Sequence, residues 1–495
     1  MEGRHAAAAA VNVRVDGATA EATLGDGELR WRRAAGAERA LSLEEEVLGV
    51  EARGKEVVVR AFLASGAAKA RSCVGVAGAG GTGTRRRRKD FVFEMADGEG
   101  PAAAAWAGEL RARLDSFGRP KRLFVFVNPF GGKKCGTKIY ETEIRPLFEA
   151  ANVSITMQET QYQGHAREVA SSLDLAEYDG IVCVSGDGVL VEVVNGILQR
   201  SDWEEAIKMP IGVVPAGTGN GMAKSLLHAA RETYSVGNAV FAIIRGHKQP
   251  LDVCTISQGE TKFFSVLLMT WGLVADIDIE SEKYRWMGSA RIDFYAVIRI
   301  MNLRKYYGSI HFAPAPGYEA YGEPVKQAEN SAVDCQHKNE SHPYSYQGPT
   351  VHCHSSDWRF LDGPFVAVWI NNVPWAAEDI MAAPEAKFSD GYMDAVIVRD
   401  CPKADLLSLL MKMSNGSYVK SPYVIYLKVR SFQLSPGQLV ENPKRGGIID
   451  VDGEVIARGE GTYGKKHQDV MVYGPPIQLT VHQALATVYC PQIIG

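Results

Sequence analysis

The chain has 495 residues, 46% hydrophobic and 23% charged, the proportions of a soluble globular protein with roughly two to four domains. A formal net charge of -4 gives no general attraction to nucleic acid, and 8 scattered cysteines without a CxxC pair argue against a disulfide scaffold and for a reducing compartment. The N-terminus lacks a signal-peptide h-region, and the longest apolar run, 263–275, falls short of the ~20 residues that span a bilayer, so a cytoplasmic protein that touches membranes only peripherally is expected.

Residues 1–118 are rich in Ala, Gly and Arg, with short strand-like runs at 11–15 and 57–62. Residues 75–83 read as a flexible loop, and a basic run, Arg85, Arg86, Arg87, Arg88 and Lys89, follows. A strand at 91–95 and a helix over 101–114 close the segment. Short strands ending in one helix that carries Trp106 resemble a pleckstrin-homology-like domain. The basic run reads either as a solvated loop or as a site for anionic lipid head groups, at about 1 kcal/mol per charge.

From residue 119 to 250 strands and helices alternate. Strands are expected at 122–127, 153–158, 181–184 and 211–214, and helices at 138–150, 165–173, after 188, and at 222–227. That alternation implies a doubly wound parallel sheet, with ligands bound beyond the carboxyl ends of its strands. Glycine-rich turns stand there, at 128–134, 185–188 and 215–221. A turn between a strand's end and a helix N-terminus favours phosphate. Asp187 is odd in such a turn: it caps a helix, holds a metal or takes a proton. Gly217 and Gly219 lack the third glycine of GxGxxG, and no glycine precedes Lys224, so the common dinucleotide and P-loop fingerprints are both missing.

Residues 251–495 read as a largely antiparallel β-sandwich, with strands at 263–269, 306–312, 365–370, 393–398, 423–429 and 447–451 and one clear helix at 404–413. Residues 314–360 look like an insertion. It holds Cys335, His337, His342, His352, Cys353 and His354, in no standard zinc spacing, and is expected to be a disordered loop. Leu406, Leu409, Leu410 and Met413 share one helix face, as core or as the wall of an apolar channel.

Three ordered motifs resemble the catalytic domain of diacylglycerol and sphingosine kinases: Asn128-Pro129-x-Gly131-Gly132, Ser185-Gly186-Asp187-Gly188-x-x-x-Glu192-Val193-x-Asn195-Gly196, and Pro215-Ala216-Gly217-Thr218-Gly219-Asn220. The stretch from Ala275 to Arg285 and the triplet Asp452-Gly453-Glu454 are similar to sphingosine kinases in particular. The resemblance covers 120–480 apart from the insertion, and the N-terminal extension looks like that of plant sphingoid-base kinases. It implies an ATP- and Mg2+-dependent lipid kinase with a sphingoid-base substrate and a site between two domains; ceramide kinase and diacylglycerol kinase are the alternatives. NAD kinase shares the glycine-aspartate turn but gives no reason for the apolar helix. An inactive lipid-binding adaptor is disfavoured by the intact triplets around Asp187 and Gly453.

Residue by residue, the resemblance implies that Asn128, Pro129, Phe130, Gly131, Gly132, Thr160, Ser185, Gly186, Glu192, Gly217, Thr218, Gly219, Arg285, Arg291, Asp452, Gly453 and Glu454 contact or organise ATP. Asp452 and Glu454 would order magnesium, through water if not directly. Asp187 would be the base and touch the substrate; Asp278 would hold the head group; Leu273, Val274, Leu406, Leu409, Leu410 and Met413 would line the tail. The chemistry agrees. Glycine turns cradle phosphates, arginines stabilise spreading charge, and a carboxylate can take the attacking hydroxyl's proton. A protonated amine ~4 Å from Asp278 gains about 4 kcal/mol at an effective dielectric near 20, which an amide or ester does not. Leu268 stands where animal sphingosine kinases carry a serine, which leaves the preferred base open. The sequence does not specify an oligomeric state.

Overall fold

The runs at 122–127, 181–184 and 211–214 put apolar side chains on both faces, which suits only a strand covered on both sides. In the computed structural model they form a parallel sheet in the order Ser154–Glu159, Arg122–Val127, Gly180–Ser185 and Ile211–Pro215. The structure describes residues 10–25, 27–33, 36–64, 86–96, 100–132, 134–288, 290–325, 345–349, 357–464 and 469–493. Phe124, Phe126, Ile181, Cys183 and Val213 enter one core cluster, and Leu123, Val125, Val182, Val184 and Val214 enter another. Helices His165–Ser172, Asp187–Leu198 and Gly221–Ala229 follow the strands, and Val236–Arg245 returns the chain. The helix expected over 138–150 runs from Gly136 to Ala150 with a π-helical turn, Tyr140–Ile144, inside it.

The C-terminal half is antiparallel, as expected, and Met393–Val398 falls where the sequence puts it. Two long strands were not anticipated, Lys248–Gln258 and Ile477–Tyr489. They pair with each other, and Val488 pairs in parallel with Ile211, so both halves share one sheet of 16 strands. The run at 263–269 splits into Thr261–Ser265 and Leu268–Gly272. This half also holds more than one clear helix: Leu273–Glu280 and Ala290–Met301 join Lys403–Met411. Met413 lies past that last helix, in the short turn Met413–Asn415. The insertion's cysteines and histidines lie outside the described residues, but the described parts of it are not a disordered loop: Glu323–Pro324 pairs as a strand with Arg359–Asp362, and Ser345 to Pro349 pack at the seam of the two halves, where Tyr346 meets His482 at 2.7 Å. Tyr346 is buried there and donates its N–H to the Leu198 carbonyl at 3.0 Å.

The N-terminal extension is a seven-stranded antiparallel sheet covered by helix Gly100–Asp115, which buries Trp106 edge-on against Phe93. Residues 75–83 and Arg85 lie outside the described residues. The rest of the basic run is strand, not loop: Arg86–Met95 pairs along its length with Glu56–Ala64. Arg86 turns inward, donating to the carbonyls of Glu45 (2.7 Å) and Phe62 (3.3 Å), whereas Arg87, Arg88 and Lys89 are exposed. Buried Arg245 joins the two bodies, reaching Glu45 at 2.5 Å and Glu232 at 2.6 Å. Buried Arg119 donates to the carbonyls of Leu43, Val47 and Leu48 at 2.7 to 3.0 Å. A cavity of about 300 Å³ at this junction, lined by Leu48, Arg111, Arg119 and Asn152, opens at the amino ends of the parallel strands, opposite the glycine-rich turns. Among the described residues no helix is long and apolar enough to cross a membrane.

Candidate active site

The three glycine-rich turns meet at the carboxyl ends of the parallel strands, and their glycines serve first to let them touch. A Cβ on Gly217 would lie 2.3 Å from the Gly186 backbone, and one on Gly186 would lie 2.6 Å from the Gly219 carbonyl. A Cβ on Gly132 would lie 3.0 Å from the Gly217 backbone. Gly188 differs, since a Cβ there would meet nothing within 4 Å. Asn128 holds its own turn, its Oδ1 accepting from the N–H groups of Phe130 (2.9 Å) and Gly131 (3.2 Å). Asn220 does the same for the third turn, accepting from Gly217 N–H at 3.1 Å and donating to its carbonyl at 2.9 Å. The Ser185 hydroxyl is spent on the Gly186 carbonyl. Buried Thr160 follows strand Ser154–Glu159, while Phe130, Thr218 and Gly219 are exposed. These turns present backbone N–H groups and a rim, the pattern that receives phosphate.

Asp187 is not in a turn but is the first residue of helix Asp187–Leu198, and it does not cap that helix. Its carboxylate crosses to the next one, accepting from Gly221 N–H at 2.7 Å and Met222 N–H at 3.1 Å. Burial pushes its pKa up to about 6, against the pull of those two N–H groups. A carboxylate so held is fixed in place and takes a proton near neutrality.

Glu192, one turn and a half further along the same helix, caps its neighbour instead, accepting from Gly164 N–H (2.8 Å) and Ala166 N–H (3.0 Å). Burial, followed by the charge of Glu454, raises its pKa. Asn195 ties the helix to the other half: it donates to the Phe264 carbonyl at 2.7 Å and accepts from Phe264 N–H at 3.0 Å. Nothing in the sequence pointed to Phe264 as its partner.

Asp452, at φ 53°, and Gly453, at φ 85°, form the tight turn after strand Ile448–Val451. Asp452 Oδ1 accepts from the Ser265 hydroxyl and from the N–H groups of Leu267 and Leu268, and Oδ2 from Val266 N–H, at 2.7 to 3.2 Å. Burial pushes its pKa up to about 7, with Asp187 adding a smaller upward effect. Both oxygens are therefore committed to ordering 265–268. The Glu454 carboxylate accepts no hydrogen bond from the described residues, while its backbone pairs with Val451. Among them no three His, Cys, Asp or Glu side chains are disposed to hold a metal ion.

Asp278 lies on helix Leu273–Glu280, half-exposed, with Arg291 3.8 Å away. Burial raises its pKa and Arg291 opposes that. Arg291 is itself buried, donating to the Ser281 hydroxyl at 2.8 Å and the Asp278 carbonyl at 3.3 Å. Residues read as nucleotide and head-group contacts thus meet in one pair. The Arg285 side chain lies outside the described residues. Beneath the helix, buried Asp276 binds Arg304 (3.0 Å) and the Tyr306 hydroxyl (2.7 Å), and Glu280 binds Arg304 (2.7 Å) and the Tyr295 hydroxyl (2.7 Å). Sequence reading missed this network; Asp276 and Glu280 two residues either side of Asp278 were the available signal.

Leu273, Leu406 and Leu409 are buried in one apolar cluster with Trp369 and Val396, and Val274, Leu410 and Met413 pack against it. The six residues assigned to the tail thus come together.

The chain matches the family described as the diacylglycerol kinase catalytic domain over residues 122–256, and the YegS C-terminal NAD kinase beta sandwich-like domain over 354–464. It is 52% identical to sphingosine kinase 2 of Arabidopsis thaliana over 486 residues, 97% of this chain and 96% of that protein. It is 50% identical to sphingosine kinase 1 of the same plant, again over 97% and 96% of the two chains. Against human sphingosine kinase 1 the identity is 33%, over 70% of this chain and 89% of that one.

Proposed function

The chain belongs to the sphingosine kinase family, and from that membership we propose that it transfers the γ-phosphoryl group of ATP to the 1-hydroxyl of sphingoid long-chain bases, giving their 1-phosphates. The observation that carries the chemistry is Asp187, clamped by Gly221 and Met222 where the glycine-rich turns meet, with its pKa near 6. In this reading Asp187 takes the proton of the 1-hydroxyl as its oxygen attacks the γ-phosphorus in line. The turns at Asn128 to Gly132, Ser185–Gly186 and Gly217 to Gly219 offer N–H groups to the phosphates, apart from those of Phe130, Gly131 and Gly217, which Asn128 and Asn220 hold. Thr160, Glu192 and Gly453 shape the rim, and Arg285 and Arg291 bring positive charge toward the transferring group. Asp278 takes the amine, with Arg291 its competitor, and the Leu273–Leu406–Leu409 cluster receives the chain.

Magnesium bound with the nucleotide would neutralise charge developing on the phosphates. Glu454 suits contact with its water shell. Asp452 suits it less, because its oxygens already accept four hydrogen bonds, and we assign it to ordering 265–268. The exposed Arg87, Arg88 and Lys89 suit a peripheral meeting with anionic lipid.

The test is phosphate transfer from labelled ATP to sphingosine, phytosphingosine, ceramide and diacylglycerol side by side, with wild type and Asp187→Asn. Transfer to the free bases that the variant loses is the expected result. Transfer to ceramide or diacylglycerol instead would overturn the role of Asp278 and leave Asp187 standing.

A further inference from the structure

Three neighbouring strands carry an unusual row of side chains. In strand Leu268–Gly272, Thr270 stands opposite Trp369 of strand Ala367–Asn371 on one side and opposite Asp450 of strand Ile448–Val451 on the other. Directly paired residues project to the same face of a sheet. The residues flanking them, Met269, Trp271, Val368, Ile370, Ile449 and Val451, all enter the sandwich core, so the row projects to the opposite face. That face is covered by helix Leu273–Glu280, since Ile448, two residues from Asp450, packs on Ala275 and Ile279.

All three are buried, and each has a polar atom without a hydrogen-bond partner among the described residues: Trp369 Nε1, Thr270 Oγ1 and Asp450 Oδ1. Buried polar atoms are usually paired, and here three unpaired ones stand side by side on adjacent strands, about 4.8 Å apart. Their chemistry is complementary: a donor, a hydroxyl that does both, and an acceptor. Their place is equally specific. Trp369 belongs to the apolar cluster assigned to the tail, and Asp450 lies within electrostatic reach of Asp278, Asp452 and Glu454. The row therefore runs from the neighbourhood of Asp278 into the apolar cluster assigned to the tail.

We propose that Thr270, Asp450 and Trp369 form a polar subsite that receives the hydroxyl on carbon 4 of a trihydroxy long-chain base, and so set the preference among sphingoid bases. The assignment rests on the reading of this site as a sphingoid-base kinase. With the 1-hydroxyl at Asp187 and the amine at Asp278, the next polar group along the substrate is met by the next polar groups along the wall. A hydroxyl there donates to Asp450 Oδ1 and accepts from Trp369 Nε1–H or Thr270. A site built to pair a hydroxyl discriminates against the analogue lacking it, because its own groups are then left unpaired.

The test compares two saturated bases that differ only in the carbon-4 hydroxyl. Each is assayed for kcat/KM with wild type, Thr270→Val and Asp450→Asn, both shape-conserving. Wild type is expected to favour the trihydroxy base by about tenfold or more. Each variant should bring the ratio of the two values down at least fivefold. A merely structural role would lower both values together and leave the ratio unmoved; that result, or a wild-type ratio near one, overturns the subsite. Thermal melting of both variants checks folding, and should one fail to fold, the other decides. If wild type phosphorylates neither base, the kinase reading itself has failed, which is a separate outcome.

Discussion

The carboxylate of Asp187 accepts the N–H of Gly221 at 2.7 Å, so the residue that begins one helix caps the start of the next. The contact fixes the carboxylate at the seam of the glycine-rich turns, and burial then holds its pKa near 6.

A pH profile follows from that geometry. As a base Asp187 works only when ionised, so kcat should fall about tenfold per unit as pH drops below about 6. Stability runs the other way. The folded pKa, about 6, lies above the ordinary 3.8, so the native state holds this proton more tightly. Its stabilising effect is complete below about pH 4 and is lost as pH rises toward 6. Asp187→Asn should lower kcat by about 10²- to 10⁴-fold and flatten that part of the stability curve; a kcat profile unchanged in the variant would remove the base.

The pairing of Asp278 with Arg291 makes a second prediction. The amine must compete with a guanidinium 3.8 Å away, and Asp278 is half-exposed, so the ion pair itself adds little stability. Asp278→Ala should raise KM for a free base by about tenfold or more and leave its N-acetylated analogue nearly unaffected. Equal losses on both would assign Asp278 to helix packing.

Asn195 clamps the catalytic helix to Phe264 through two hydrogen bonds. Asn195→Ala leaves a buried N–H and C=O unpaired, at about 2–4 kcal/mol. Chemical denaturation should show that loss, and activity should fall with it, since the clamp joins the two halves of the site. A variant as stable as wild type would mean that the halves are held elsewhere.

The basic run divides by direction. Arg86→Ala should destabilise the docking of the extension, visible as faster cleavage between extension and kinase body, because its guanidinium lies 3.5 Å from Glu232 and 4.9 Å from the Phe241 ring of that body. Arg88→Glu with Lys89→Glu should leave folding unchanged and weaken binding to anionic vesicles by about 1 kcal/mol per charge removed, or more with reversal. Vesicle binding that ignores both changes would take the strand off the membrane. Deleting the whole run would confuse the two effects.

The sequence by itself determined the local elements of the α/β half and the identity of its chemistry. Apolar runs of strand length, glycine turns at their ends and a 3.6-residue stripe are local signals, so the four parallel strands, the site turns and the Leu406–Leu409 face were legible. The basic run was misread because charge says where water is tolerated, not whether the backbone pairs; Arg86–Met95 is a strand because Glu56–Ala64 lies beside it. What only the tertiary structure decided were partners distant in the chain. Asp187 finds Gly221, Asn195 finds Phe264, and Asp452 finds the N–H groups of 266–268, each across 34 to 186 positions. Thr270, Trp369 and Asp450 look unremarkable one at a time, and only the register of three strands puts their orphan atoms in a row. Periodicity fixes which way a side chain points along its own element, but the free energy of burying a polar group is settled by what the fold brings to meet it.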